Sequence, residues 1–310
     1  SYVMRKNNCN LIAAVYTPMS QDGSLNTSVV NQYACYLNKN KISGVFINGS
    51  TGDFVSLTTQ ERKDITLAWS SCKTKDLYLI DHVGDPSLEV TKDLAKHASD
   101  KVDAIAVLAP FYFKIDSLDK LIYYCKEVST SAPNLPFYYY HIPSLSGAKI
   151  NILSFLKRAS KEIPQFAGIK FTDNQLIDFL HCKNYSLEEY NILFGYDELF
   201  LPSLSLGANS WAGSTYNHLA PIYFKIKEYF DHGQMEKAAD LQTKAIKFVE
   251  ILNATGGFNG VGKYFMKYLG VDCGPSRFPH INLEKKSELE IVNSLKALGV
   301  LEYLNHLPIN

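Results

Sequence analysis

FAGIKFTDNQLIDFLHCK, residues 166–183, contains the repeating unit from which the fold is predicted. Residues 166–172 are mostly apolar and end in a Thr-Asp pair, which is typical of a short buried strand. Residues 174–183 carry apolar side chains at helical spacing and predict a helix. Lys170 interrupts the strand, although burying an ammonium ion costs free energy. The stretch therefore predicts half of a parallel βαβ unit, with one lysine whose placement needs a reason.

The same strand–helix unit recurs along the chain. Further strands are predicted at 11–17, 44–50, 77–83, 104–110, 136–142, 191–197 and 208–214. Helices are predicted between them at 27–39, 58–72, 86–99, 117–131 and 151–161, and after them at 217–231, 234–253, 258–269 and 285–298. Strands that are apolar throughout, and not only at alternate positions, are typical of a parallel sheet covered by helices.

Eight strands of this kind are better explained by closure than by an open sheet, whose edges would need protection. The predicted fold is therefore α/β: a (β/α)₈ TIM barrel with a C-terminal helical extension. We expect residues 1–232 to form the catalytic barrel. We expect residues 233–310 to form the extension packed on it.

The composition excludes several classes of protein. The chain has 310 residues, 46% of them hydrophobic, which is enough for a large core. Basic and acidic residues both number 31, so no excess of positive charge favours nucleic acid or a membrane surface as partner. The six scattered cysteines, without a C-x-x-C pair, indicate a reducing compartment, and we expect a soluble cytoplasmic protein.

Chemistry in such barrels gathers at the C-terminal ends of the strands. Each predicted strand ends in polar or titratable groups: Thr17, Ser50 with Thr51, His82, Tyr112, Tyr140, Lys170 with Thr172, Asp197 with Glu198, and Ser214 with Thr215. The preference of turns for Thr, Ser and Asp explains part of this pattern. We expect these groups to meet at one mouth of the barrel.

Side-chain alternation places Lys170 inside the barrel. Gly168, Lys170 and Thr172 share one strand face, and the bulky apolar residues share the other. A neutral lysine amine attacks carbonyl groups to give a Schiff base, which then draws electrons from the adjacent carbon. Tyr140, at the end of the preceding strand, could move the protons. The alternative is a lysine whose head group extends out of the strand end into solvent.

Four other short motifs contain residues that could bind a ligand. GSTGD at 49–53 fits an anion-binding nest or an ordinary Gly/Ser turn. GYDE at 195–198 fits a polyol site or an acidic helix start. GFNGVGK at 257–263 is rejected as a phosphate loop, because Tyr264 replaces the required Ser/Thr. DHVGD at 81–85 lacks paired ligand spacing, so no metal is expected.

Five motifs in order resemble the N-acetylneuraminate lyases, within the dihydrodipicolinate synthase superfamily. They are GSTGD (49–53), YYYHIPSLSG (138–147), GIKFTD (168–173), FGYDE (194–198) and GSTYN (213–217). The resemblance covers the barrel from about residue 11 to 217 and continues weakly through the helical tail. It implies a class I aldolase that cleaves N-acetylneuraminate reversibly to N-acetylmannosamine and pyruvate, without metal or diffusible cofactor.

The resemblance also implies residue roles. Lys170 would form the imine and Tyr140 would shuttle protons. Ser50 and Thr51 would hold the pyruvate carboxylate, and Ser50 would link to Tyr140 in a relay. Tyr112 would complete this relay, in some relatives across a subunit interface, and the family's usual state suggests a homotetramer. The sugar hydroxyls would be bound by Thr172, Gly195, Asp197, Glu198 and Ser214.

The chain differs from the family pattern at two positions, and it lacks an arginine that related synthases have. Asp53 replaces the family's more usual Glu and is left outside the site, and Phe258 is a possible sugar-pocket residue in a poorly matching segment. Synthases that use an acidic aldehyde have an arginine where this chain has Leu145, so a neutral sugar aldehyde is favoured. No lysine besides Lys170 is expected to be buried.

Two alternatives stay open at this point. The same chemistry could act on another acceptor, as in dihydrodipicolinate synthase or a 2-keto-3-deoxygluconate aldolase. A non-catalytic barrel that binds sialic acid or pyruvate is the alternative from a different class, although such a protein has little use for a buried nucleophile.

Overall fold

The computed structural model describes residues 9–72 and 76–304. Within these ranges, eight parallel strands form a closed barrel in chain order, and the predicted fold class is confirmed. The strands are β1 Asn10–Ala14, β2 Gly44–Ile47, β3 Tyr78–His82, β4 Ala104–Leu108, β5 Phe137–His141, β6 Phe166–Phe171, β7 Asn191–Phe194 and β8 Ser210–Gly213. Residues 1–8 and 305–310, at the outer ends of the two predicted domains, lie outside the described residues.

All eight strands end earlier than predicted. The run 11–17 gives a strand ending at Ala14, and the run 208–214 gives one ending at Gly213. The polar residues at the ends of the runs turn out of the sheet into the loops, because Ser, Thr and Asp side chains compete for backbone hydrogen bonds. These loop residues form the mouth of the barrel.

Helices alternate with the strands and continue beyond the barrel. Those in the described part of the chain are α1 Val30–Lys39, α2 Thr59–Cys72, α3 Leu88–Ala98, α4 Leu118–Ser131, α5 Pro143–Ser146, α6 Ile152–Glu162, α7 Leu176–Ser186, α8 Phe200–Ser205, α9 Tyr216–Asp231, α10 Met235–Thr255, α11 Lys263–Tyr268 and α12 Lys285–Leu298. The side chains of Ser87, Ser117 and Asn151 accept hydrogen bonds from backbone N–H groups in the first turns of α3, α4 and α6, which fixes where these helices begin.

The helix predicted at 258–269 differs in detail. Residues Phe258–Gly262 form a π-helical turn, and only then does α11 begin. Such turns occur often at functional sites, because they redirect side chains within a helix. The carbonyl of Gly262 lies 3.0 Å from His218 Nε2 on α9, and the same nitrogen lies 3.0 Å from the Tyr16 hydroxyl. Burial lowers the pKa of His218 to about 4, so the imidazole that connects the barrel to the C-terminal helices is neutral.

The barrel strands separate two apolar layers. Tyr138 and Tyr140 pack inside the barrel, whereas Tyr139, Ile169 and Phe171 pack outward against the helices, as the alternation predicts. Each fully buried side chain of this size contributes about 1.5–3 kcal/mol. The outer layer therefore fixes which face of β6 points inward, and with it the direction of Lys170.

The C-terminal helices pack on one another and on the barrel. α10 packs along α9, and α12 packs on α10. The predicted boundary between 232 and 233 falls in the turn that joins α9 to α10, and the division into two domains stays a prediction. In the described part of the chain all six cysteines are free, and no helix there is long and apolar enough to cross a membrane.

Candidate active site

A cavity of about 610 Å³ opens at the C-terminal ends of the strands. Its lining includes nine of the ten residues that the sequence predicts for the site: Ser50, Thr51, Tyr140, Lys170, Thr172, Gly195, Asp197, Glu198 and Ser214. They come from five different strand ends, which parallel closure brings to the same rim.

Lys170 lies at the inner end of this cavity and is only 4% exposed. It is in register with Tyr140 on the neighbouring strand β5. Its Nζ lies 4.0 Å from the centre of the Tyr140 ring and 4.4 Å from that of Phe46. The amine is therefore held over two aromatic faces inside the barrel. The alternative of a head group extended into solvent does not fit this burial.

Tyr140 is joined to the 49–53 turn. Its hydroxyl lies 3.2 Å from Ser50 Oγ, and either group can donate. The turn is closed by a bond from Asp53 N–H to the Ser50 carbonyl and is held from outside by Thr17, whose hydroxyl donates to Gly52. A substrate at Lys170 would thus meet two connected hydroxyl groups able to relay a proton.

Two adjacent carboxyl groups form the opposite, acidic wall. Asp197 is buried, and its Oδ2 accepts hydrogen bonds from the Thr215 backbone N–H and hydroxyl. Burial raises the pKa of Asp197. Burial, and then the charge of Asp197, raise the pKa of Glu198 to about 7. Gly213 leaves the space that Asp197 occupies, because a Cβ there would collide with the carboxylate.

Thr172 completes this wall with a hydroxyl group that is buried and lacks a hydrogen-bond partner among the described residues. Gly195 lies directly beside it, where a Cβ would come within 2.5 Å of Thr172 Oγ1. A buried hydroxyl without a partner costs free energy, so a bound polar group would satisfy it. The acidic wall can therefore accept hydrogen bonds from a polyol through its carboxylates and donate one to it through the Thr172 hydroxyl.

Tyr112 is the predicted site residue that the structure does not bring to the cavity of its own chain. It is 83% exposed, adopts a left-handed backbone conformation with φ of 77°, and packs its ring against Phe113. Phe111 lines the cavity instead. The loop after β4 turns Tyr112 outward, so its predicted part in the relay stays a prediction that would need a second subunit.

Several lining residues escaped the sequence prediction. Asp53 lines the cavity, although the sequence comparison places it outside the site, and Asn259 and His280 reach the cavity from the C-terminal segment. Phe258 lines it too, in line with its suggested place in the sugar pocket. The only available signal was the position of Asp53 within a matching motif. Asn259 and His280 lie more than 200 residues along the chain from the turn that they contact, and no local pattern points to them.

The expectation that Lys170 is the one buried lysine is wrong. Lys263, at the start of α11, is 5% exposed, and its Nζ donates to the Pro275 carbonyl at 2.8 Å. Burial lowers its pKa to about 8. It lies outside the set of residues that line the cavity, so burial alone does not make a lysine a candidate nucleophile.

His82, at the end of β3, is a buried, hydrogen-bonded core residue and is not among the residues that line the cavity. Its Nδ1 lies 2.9 Å from the Asn48 carbonyl, and its Nε2 accepts the N–H of Leu108. Burial lowers the pKa of His82 far below its usual value. Among the residues that the structure describes, no group of three His, Cys, Asp or Glu side chains could hold a metal ion.

Comparison with known proteins gives a consistent result. The dihydrodipicolinate synthetase family profile matches residues 7–298. N-acetylneuraminate lyase A of Xenopus laevis is 40% identical over 273 residues, which cover 87% of this chain and 89% of the relative. The human N-acetylneuraminate lyase is 38% identical over 301 residues, or 95% and 93% of the two chains. The solved structure of the Proteus mirabilis N-acetylneuraminate lyase superposes with a TM-score of 0.90 at 35% identity, covering 94% of this chain and 99% of the other.

Proposed function

The chain belongs to the dihydrodipicolinate synthetase family and is a carbon–carbon lyase, and we propose that it cleaves N-acetylneuraminate reversibly to N-acetylmannosamine and pyruvate through a Schiff base on Lys170. The observation that carries this proposal is the register of Lys170 opposite Tyr140 inside the cavity, in a chain similar to lyases of this substrate over most of its length.

The reaction begins at the ketone carbon of the open-chain substrate. The Lys170 amine adds to this carbon, and the oxygen leaves as water with a proton from Tyr140, which gives a protonated imine. The deprotonated Tyr140 then takes the proton of the hydroxyl group on the second carbon from the imine. The bond between that hydroxyl-bearing carbon and the carbon next to the imine breaks, and its electron pair enters the imine to form an enamine. The aldehyde leaves. Tyr140 returns the proton to the enamine carbon, and water hydrolyses the imine to free pyruvate and the lysine, with the released proton going back to Tyr140.

The 49–53 turn would hold the keto-acid end of the substrate. Ser50 and Thr51 line the cavity next to Tyr140, and their hydroxyls, with the backbone N–H groups of the turn, suit a carboxylate. Ser50 would also pass protons to and from Tyr140. Tyr112 would complete this relay from a neighbouring subunit, which fits its exposure beside Phe113.

The acidic wall would bind the sugar end. Hydroxyl groups can donate to Asp197 and Glu198 and bond to Thr172 and Ser214, whereas a second carboxylate would be repelled there. Leu145, at the position of the synthase arginine, also lines the cavity and offers no cation for an acidic aldehyde. Both features support a sugar aldehyde over a semialdehyde as the acceptor in the reverse reaction.

We further propose a homotetramer in the cytoplasm. The exposed aromatic side chains of Tyr112 and Phe113 would be covered at a subunit interface. The free cysteines are consistent with a reducing compartment. Light scattering tests the assembly, and a monomer at micromolar concentration would contradict it.

Borohydride reduction in the presence of pyruvate tests the mechanism. The reduced adduct should appear by mass spectrometry on the peptide that contains Lys170. Lys170→Ala should abolish both labelling and turnover, whereas Lys263→Met, at the second buried lysine of the described residues, should keep the label. An adduct on a different lysine would refute the assignment. Turnover of a semialdehyde in preference to N-acetylneuraminate would favour the synthase alternative, and binding without imine formation would favour a non-catalytic barrel.

A further inference from the structure

The turn that carries Ser50 is held in place by the C-terminal segment as well as by the barrel. Asn259, in the π-helical turn, donates through its side-chain amide to the Ser50 carbonyl at 3.4 Å. His280 Nε2 lies 3.2 Å from Asp53 Oδ1 at the other end of the turn. Both contacts come from residues beyond the barrel, so the 49–53 turn is bridged to a part of the chain that carries none of the proposed chemistry.

Asp53, the last residue of the 49–53 turn, has an unusual backbone conformation. Its backbone is left-handed, with φ of 55° and ψ of 45°. Its Oδ1 accepts from the Ser56 hydroxyl at 2.9 Å and from His280. An ionised carboxylate only accepts hydrogen bonds, so Nε2 is the donor in the second contact. These two bonds fix the side chain of a residue whose backbone conformation is unfavourable for most residues.

The segment that carries His280 is fixed to the barrel by Arg277. Three residues earlier, Arg277 forms a two-pronged ion pair with Glu61 at the start of α2, with one N···O distance of 2.7 Å. The same guanidinium donates to the carbonyls of Ser56 and Gly23. A bidentate arginine–carboxylate pair fixes direction as well as distance. His280 is therefore held over Asp53 by the packing of the segment, not by chance proximity.

We propose that Asp53 and His280 are positioning residues for the proposed reaction, on which this inference rests. Their hydrogen bond holds the last residue of the turn and so keeps the Ser50 hydroxyl within reach of Tyr140 and the carboxylate nest open. The pair acts on the keto-acid half of the substrate and leaves the aldehyde half, at the acidic wall, unaffected.

The geometry makes such support necessary. The Ser50–Tyr140 distance of 3.2 Å is already at the long end for a hydrogen bond between hydroxyl groups. A displacement of a few tenths of an ångström in the turn would break it. Misplacement on this scale is enough to reduce catalysis strongly, because proton transfer depends on the positions of both groups.

The test uses the full-length chain with His280→Ala, His280→Gln and His181→Ala. Glutamine keeps a side-chain N–H donor, and His181 is an exposed histidine on α7 that serves as the matched control. For each variant, the pyruvate concentration that gives half-maximal borohydride trapping at Lys170 is measured. The KM values for pyruvate and N-acetylmannosamine in the synthesis direction, and the melting temperature, are measured alongside.

We expect His280→Ala to raise the half-maximal pyruvate concentration and the pyruvate KM about tenfold, since a hydrogen bond to a charged group is lost. The KM for N-acetylmannosamine should stay within about twofold of wild type. His280→Gln should recover most of the loss, and His181→Ala should equal wild type. Should His280→Ala equal the control, or should both KM values rise together, the positioning role is refuted.

A double-mutant cycle that combines Asp53→Gly with His280→Ala provides a second test, in which the same pyruvate KM is measured, in case one variant is unstable. Glycine adopts the left-handed backbone freely, so this change removes the carboxylate without straining the turn. If Asp53 and His280 act as a unit, the double variant is no worse than Asp53→Gly alone, whereas additive losses overturn the inference. Wild-type protein that forms no imine with pyruvate would instead refute the proposed function itself, so the two failures are distinguishable.

Discussion

Glu198 offers the most direct test of the acidic wall, because its charge should change at pH values near 7. Burial, and then the neighbouring charge of Asp197, raise its pKa to about 7. About one-tenth of the group is then ionised at pH 6 and about nine-tenths at pH 8. If the ionised carboxylate accepts hydrogen bonds from sugar hydroxyls, its contribution to kcat/KM should rise with pH over this interval.

Glu198→Gln removes the charge and keeps the shape. Losing one or two hydrogen bonds to a charged acceptor costs about 1.5–3 kcal/mol, so kcat/KM for N-acetylneuraminate should fall about ten- to a hundredfold at pH 8. The ratio of wild type to variant should be about five- to eightfold smaller at pH 6, where most of wild-type Glu198 is already protonated. Taking this ratio cancels the titration of the groups that Glu198 does not influence, and the coupled titration of Asp197 is examined separately.

Asp197→Asn supplies the second arm of this test. Removing the neighbouring charge lowers the pKa of Glu198, because two adjacent carboxylates repel each other. The midpoint of the ratio between Asp197→Asn and the Asp197→Asn/Glu198→Gln double variant should therefore move to lower pH. Steady-state kinetics from pH 5.5 to about 8.5 measure both ratios. A ratio that is flat with pH, or that falls as pH rises, would refute the reasoning.

The Glu198 carboxyl group should also influence the stability of the fold. A pKa raised in the folded state means that the folded protein holds the proton more tightly than the unfolded chain does. The stabilisation from Glu198 is therefore complete below its ordinary pKa of 4.5 and is lost as pH rises through about 7. The loss is about 3 kcal/mol at most, and Glu198→Gln should abolish this part of the pH dependence in denaturant titrations.

Three further predictions follow from single contacts. Gly213→Ala should lower kcat/KM for N-acetylneuraminate about tenfold by displacing Asp197, while borohydride trapping of pyruvate stays near wild type; equal losses in both assays would contradict this. Hydrogen bonding from Arg277 lowers the pKa of Glu61 to about 2, so its stabilisation is present above pH 4.5 and is lost as pH falls towards 2. Glu61→Gln should lower the melting temperature by a few degrees at pH 7 and by less at pH 3, as calorimetry can check. Leu145→Arg should raise the rate with an acidic semialdehyde relative to N-acetylmannosamine by about tenfold, and an unchanged substrate ratio would remove Leu145 from the specificity argument.

The sequence by itself determined the barrel and which side chains face its interior. Parallel strands buried on both faces leave a clear pattern of short apolar runs, and the two-residue period of a strand decides which side chains point inward. Lys170 and Tyr140 could therefore be placed inside the barrel, and the acidic wall at its mouth, from local pattern alone. The five motifs, through their resemblance to a known family, then assigned these residues to one site.

Only the tertiary structure decided how the remaining chain completes that cavity. The contacts of Asn259 with Ser50 and of His280 with Asp53 join positions more than 200 residues apart, and they depend on how the tail packs over the barrel. The burial of Lys263 follows from the same packing. Local propensity encodes a strand and the direction of its side chains, whereas contacts between distant segments depend on the combined packing of many side chains. For that reason the position of Lys170 inside the barrel could be predicted from the sequence, and the residues that hold its surroundings could not.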